Sequence, residues 1–228
     1  MKFALAGLGL DNYPPVVAPW ERTSGGAEVL RYARKAVSLD PMDADAHAAL
    51  GYALTMTGDY EQGQIELENA LRLTPNAFDI LIFQSCLAPT PEKEMAAADR
   101  AIALNPAFPK WAVPCLRLAY VLSGRYADAI QVQSRQPEEE WNTDGFVVVA
   151  GSLAALDRKG EAQAVVKRGV AKFPGLLSIE RFALNRGWPP DAIKTVEDLM
   201  RRAGFPACAT SEELSDTPNP VRLPECTG

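Results

Sequence analysis

Apolar and small residues recur along this chain at helical spacing, in blocks interrupted by Gly and Pro. From Ala44 to Ala77, Leu50-Gly51, Leu54, Gly58, Tyr60, Ala70 and Pro75 occupy places 7, 8, 11, 15, 17, 27 and 32 of a 34-residue unit. Small residues at Gly51 and Ala70 predict a close approach of two antiparallel helices, with Leu50, Leu54 and Leu67 filling the seam between them. Gly58-Asp59 predicts the turn joining them. Pro75 lacks an N–H and its ring clashes with a preceding helical turn, so the second helix stops there.

The same register extends both ways. Pro41 precedes Pro75 by 34 residues with Ala36 in the matching small position, which predicts a helix over Glu28 to Leu39. A first helix to pair with it is not recognisable. Pro75 and Pro106 are 31 residues apart, yet Ala98, Ala101 and Leu104-Asn105-Pro106 keep the pattern. A fourth copy is marked by Tyr120, Gly124, Tyr126 and Ala129, and a fifth by Leu153, Glu161-Ala162 and Pro174. The pattern resembles the tetratricopeptide repeat, and it implies an all-α, right-handed α-solenoid of antiparallel helix pairs. The organisation expected is an irregular segment over 1–23, about four and a half repeats over 24–176, capping helices over 177–206 and a flexible tail over 207–228.

Phe146 to Ala150 is rich in Val and favours a strand on propensity, but the register places it in a first helix. Beyond Pro174, Leu177 to Asn185 predicts a short helix, Gly187-Trp188-Pro189-Pro190 a break, and Asp191 the N-cap of a helix reaching Ala203. The stretches Leu104 to Trp111, Ser123 to Ile130 and Leu199 to Pro206 resemble the C-terminal tetratricopeptide region of bacterial adenylate/guanylate cyclases. Similar arrays follow winged-helix transcription regulators. The resemblance implies a regulatory appendage and brings no catalytic residue, because no strand-rich segment could hold a cyclase domain.

Charge and composition narrow the function. A net charge of -6 argues against nucleic acid, although 151–206 carries +4 against -7 over 1–150 and -3 over 207–228. His47 is the single histidine; it takes a place where the repeat prefers Trp, and it is expected to pack between helices rather than bind a metal. Cys86, Cys115, Cys208 and Cys226 show no CxxC spacing and are read as reduced thiols. The apolar run Phe3 to Leu10 is short for a signal peptide, and no stretch approaches the roughly 20 residues of a membrane span. A cytoplasmic protein without cofactor, metal or enzymatic activity is expected, with a small-molecule sensor as the lesser alternative to a protein-binding module. Glu138-Glu139-Glu140 is read as a solvated loop.

Partner binding then falls to the concave face, lined in such solenoids by places 2, 5, 9, 12 and 13 of each unit. These are Asp45, Tyr52, Thr55 and Met56, then Asp79, Ile82 and Cys86, then Trp111, Leu118 and Leu122. The resulting groove is apolar and aromatic, suited to a peptide held by apolar anchors. Tyr52, Met56, Ile82, Cys86, Trp111, Leu118 and Leu122 are the candidate binding residues, Trp111 foremost. The uncovered face of Glu28 to Leu39 predicts self-association or an N-terminal partner domain.

Overall fold

A computed structural model describes residues 24–87, 90–183, 190–215 and 222–227. Eleven α-helices and no strand occur among them, so the protein is all-α. Helix α1 spans Ser24–Leu39, α2 Ala44–Met56, α3 Tyr60–Leu73, α4 Phe78–Leu87, α5 Pro91–Leu104 and α6 Val113–Leu122. After these come α7 Tyr126–Gln133, α8 Thr143–Ala155, α9 Lys159–Lys172, α10 Ile179–Ala183 and α11 Pro190–Ala203. The expected irregular stretch 1–23 and the break at Gly187 to Pro189 lie outside the described residues.

Local chemistry fixes the helix ends. Asp43, Asp59, Thr90 and Asn142 each precede a helix and accept a hydrogen bond from a first-turn N–H, satisfying donors that have no partner within the helix. Leu39, Leu73, Leu104 and Lys172 each close a helix two residues before Pro41, Pro75, Pro106 and Pro174. Three turns share one geometry: Asp59, Arg125 and Arg158 donate their N–H to Leu54, Tyr120 and Leu153, at 2.9, 2.8 and 2.9 Å. The residue before each donor is left-handed, with φ of 93° at Gly58, 75° at Gly124 and 58° at Asp157. Phe146 to Ala150 is helical within α8, as the register required.

The chain forms two compact units that meet in sequence at Ala119 and Tyr120, inside α6. In the first unit α1 packs on α2, α2 on α3 and α4, and α4 on α3 and α5. Helices α2 and α3 touch backbone to backbone at Gly51, where a Cβ would lie 2.8 Å from the Gly63 carbonyl oxygen and 3.0 Å from the Leu67 nitrogen. Ala48, Leu67, Ala70, Ile80 and Phe83 build the adjoining core.

The second unit centres on Phe146, with Trp141 and Phe173 edge-on at ring-centroid distances of 5.3 and 6.0 Å. Helices α7, α9 and α11 all pack on α8. Val196, Leu199, Met200 and Ala203 of α11 are buried in this core. Pro190 opens α11, so Asp191 sits in its first turn rather than at the N-cap. The tail expected to be flexible is instead held on this unit in its described parts: Ala209 and Leu214 are buried, and Leu223 packs against the core. Its anchor is a carboxylate on α10, described below, which the sequence pattern of the tail could not announce.

Candidate partner-binding surface

Helix α4 is apolar on every side, with Ile80, Leu81, Ile82 and Phe83 all buried. It therefore packs into the first unit instead of lining an open groove. Ile82 is 1% exposed and Leu118 8%, which closes both to a partner. Thr55 is buried as well, its hydroxyl donating to the Gly51 carbonyl at 2.9 Å. Tyr52 is half-buried and tilts against Phe83 with ring centroids 5.3 Å apart. The Met56 side chain lies outside the described residues, and Leu122, half-buried, belongs to the second unit.

Trp111 answers the expectation best. It sits on a 3-10 turn, Lys110–Ala112, that leads into α6, and it is 36% exposed. Phe78 meets it edge-on at 5.9 Å, and Phe78 is itself half-buried. Two aromatic pairs thus hang on α4, Tyr52 with Phe83 and Trp111 with Phe78, and the second pair is the more accessible. A T-shaped partner holds an indole in one orientation without covering its other face.

The reading of the cysteines as reduced thiols is corrected. Cys86 on α4 is bonded to Cys115 on α6, with Cα atoms 4.7 Å apart, and Cys208 to Cys226, with Cα atoms 5.4 Å apart. Cys86 is therefore a cross-link rather than a free contact residue. Sequence separations of 29 and 18 carry no pairing signal; only the packing of the helices and the tail brings the sulfurs together. The first bond ties α4, which Phe78 opens, to α6, which the turn carrying Trp111 leads into.

His47 packs between helices, as its position suggested. One ring nitrogen meets the Glu66 carboxylate of α3 and the other the Pro41 carbonyl oxygen at 2.9 Å. Burial pushes the imidazole pKa down, but the Glu66 hydrogen bond and the Pro41 carbonyl outweigh it and raise it above the ordinary value. Glu94, in the first turn of α5, is 6% exposed and its Oε2 has no hydrogen-bond partner. Burial raises its carboxyl to about 8, so it is neutral over most of the physiological range. Its neighbours Glu92 and Lys93 are exposed, and nothing in the sequence marks Glu94 as the inward one.

In the second unit the segment read as a solvated loop receives two cations of α9. Arg168 forks onto the Glu138 carboxylate at 2.6 and 2.9 Å, and its hydrogen bond holds that carboxyl below the usual range. Lys172 Nζ donates to the carbonyls of Glu138, Glu139 and Trp141 at 3.3, 2.6 and 3.0 Å and lies over the rings of Phe146 and Phe173. Glu138 is thus an internal contact, while the Glu139 and Glu140 side chains are exposed, as a solvated loop would have them.

Among the described residues no group of three His, Cys, Asp or Glu side chains could hold a metal, and no helix is long and apolar enough to cross a membrane. No protein-family model and no curated protein matches the chain.

Proposed function

We propose that this protein is a protein-interaction module, a tetratricopeptide-like α-solenoid of antiparallel helix pairs that holds a peptide or partner segment by apolar anchors. The observation that carries this reading is Trp111, a partly exposed indole oriented by Phe78. Large aromatics dominate binding hot spots, and a fixed ring loses little entropy on binding. The recurring left-handed turn, the prolines two residues past four helices and the glycine contact of α2 with α3 support the repeat architecture. The resemblance to cyclase and transcription-regulator appendages makes a regulatory partner the natural setting. The two disulfides favour an oxidising compartment over the cytoplasm for the mature chain.

The test is peptide-display selection on the immobilised, oxidised full chain, scored against Trp111→Ala. Peptides with apolar anchors should be enriched and should bind the variant roughly 30-fold more weakly, as expected for loss of a hot-spot side chain. Failure to enrich any peptide, or equal binding by the variant, overturns the reading.

A second reading rests on α1. Tyr32 and Leu39, with Met42 just beyond the helix, are exposed apolar side chains on the first unit. Self-association through them would place them out of water. Light scattering at micromolar concentration tests it: a monomer, or a dimer unaffected by Leu39→Glu with Met42→Glu, rejects this role for α1.

A further inference from the structure

Glu180 of α10 is 1% exposed, and the hydrogen-bond donors to its carboxylate come from the C-terminal segment. Oε2 accepts from the Ala209 N–H at 2.9 Å. Oε1 accepts from Arg222 Nε at 2.7 Å and from the Leu223 N–H at 3.0 Å. Arg222 also donates from Nη2 to the Ala209 carbonyl at 3.2 Å, joining the two limbs of the segment across the carboxylate. Burial alone pushes the Glu180 pKa up, yet Arg222 and the two N–H groups hold it below the ordinary value. The carboxylate is charged, and its charge is matched by the strap that lies on it.

The two limbs are held differently. The near limb is stitched to α10 by backbone bonds, Ile179 N–H to the Pro206 oxygen at 2.8 Å and Glu180 N–H to the Ala207 oxygen at 3.0 Å. The far limb, 222–227, carries Arg222, Leu223 and a 3-10 turn over Pro224–Cys226. It reaches the near limb through the Cys208–Cys226 bond, and α11 through the exposed pair of Arg201 and Glu225. Cys226 is half-buried and Cys208 is exposed, so a solvent reductant has access to the bond.

We propose that Cys208–Cys226 is a redox latch: closed, it holds Arg222 and Leu223 on Glu180; open, it releases the far limb while the helices stay folded. Opening requires a dithiol reductant. One of its thiolates attacks the Cys208 sulfur, Cys226 departs as a thiolate and takes up a proton, and the reductant's second thiol then displaces Cys208 as a thiol. The reductant leaves as a disulfide, having passed two electrons and two protons to the protein. Loss of a cross-link over 18 residues weakens the hold on the far limb roughly a hundredfold on the chain-entropy account. An exposed ion pair such as Arg201 with Glu225 cannot replace it.

Arg222 provides the readout, because trypsin cuts after arginine only where the backbone is free to enter its site. The oxidised full chain is compared with Cys208→Ser/Cys226→Ser, the Cys86–Cys115 bond being intact in both. Samples are quenched, reduced and assayed by mass spectrometry for cleavage between Arg222 and Leu223. The variant should be cut there at least about tenfold faster, with cleavage at Arg201-Arg202 in α11 and the helical circular dichroism unchanged. Glu180→Gln, with the bond closed, should also speed cleavage at Arg222. Equal rates at Arg222 in parent and cysteine variant overturn the latch. So does loss of helix in that variant, which would make the bond a folding staple. An unaltered rate in Glu180→Gln would overturn the anchoring of the limb by the carboxylate.

Discussion

Replacing Glu94 by Gln should make the protein more stable above neutral pH and leave it nearly unchanged in acid. The carboxyl is buried in the first turn of α5, with Oε2 unpartnered, and desolvation holds its pKa at about 8 against 4.5 unperturbed. A carboxyl whose folded pKa is raised binds its proton more tightly in the folded chain. Stability is therefore fully present below about 4.5 and is lost as pH rises through about 8. Each pH unit across that window lowers the folding constant tenfold, roughly three thousandfold in all, an upper bound near 5 kcal/mol before local relaxation. Typical domains hold only about 5–15 kcal/mol, so the effect is large. Glutamine keeps the shape and does not titrate. Urea unfolding followed by circular dichroism, at about pH 4 to 9, should give stability curves that meet in acid and diverge as pH rises, with the Glu94→Gln variant the more stable. Parallel curves, or a parent that gains on the variant as pH rises, would refute the burial argument. The His47 contribution is common to both proteins and cancels in the difference.

In the Glu94→Gln background, the raised pKa of His47 should produce a further loss of stability as pH climbs above about 6.5, removed by His47→Ala and read from melting temperatures. Gly51→Ala and Gly63→Ala should each cost about 2 kcal/mol or more in urea unfolding, because a Cβ there collides with the facing helix, whereas Gly160→Ala, facing open space, should be neutral or gain up to about 1 kcal/mol. Lys172→Met should cost about 1 kcal/mol and increase hydrogen exchange over Glu138 to Trp141, whose carbonyls lose their donor. Unchanged exchange there would show that Lys172 does not secure the loop.

The helices and turns of this protein were readable because they depend on neighbours in sequence. Pro75 stops a helix by its own covalent structure, Gly58 admits a left-handed turn, and Asp59 caps the helix that follows it directly. The small position at Gly51 was also legible, though the residue facing it, Gly63, was not. What failed depends on contacts that sequence spacing does not encode. Ile82 and Leu118 occupy groove places in the repeat scheme, but α4 is apolar all round and buries Ile82, and α6 buries Leu118. Cys208 meets Cys226 where Glu180, far back in the chain, draws Arg222 inward. The polar composition of that tail suggested solvent, while a single buried carboxylate decides otherwise.

The edge-on pair of Phe78 and Trp111 also makes the first unit its own spectroscopic instrument. An indole that is partly wet in the free state emits to the red, and a ligand that excludes that water moves its emission to the blue. With Trp20, Trp141 and Trp188 changed to Phe, the remaining indole would report occupancy of the proposed surface without any label. A chain whose ligand is unidentified can thereby be screened in plain solution, by watching one ring dry.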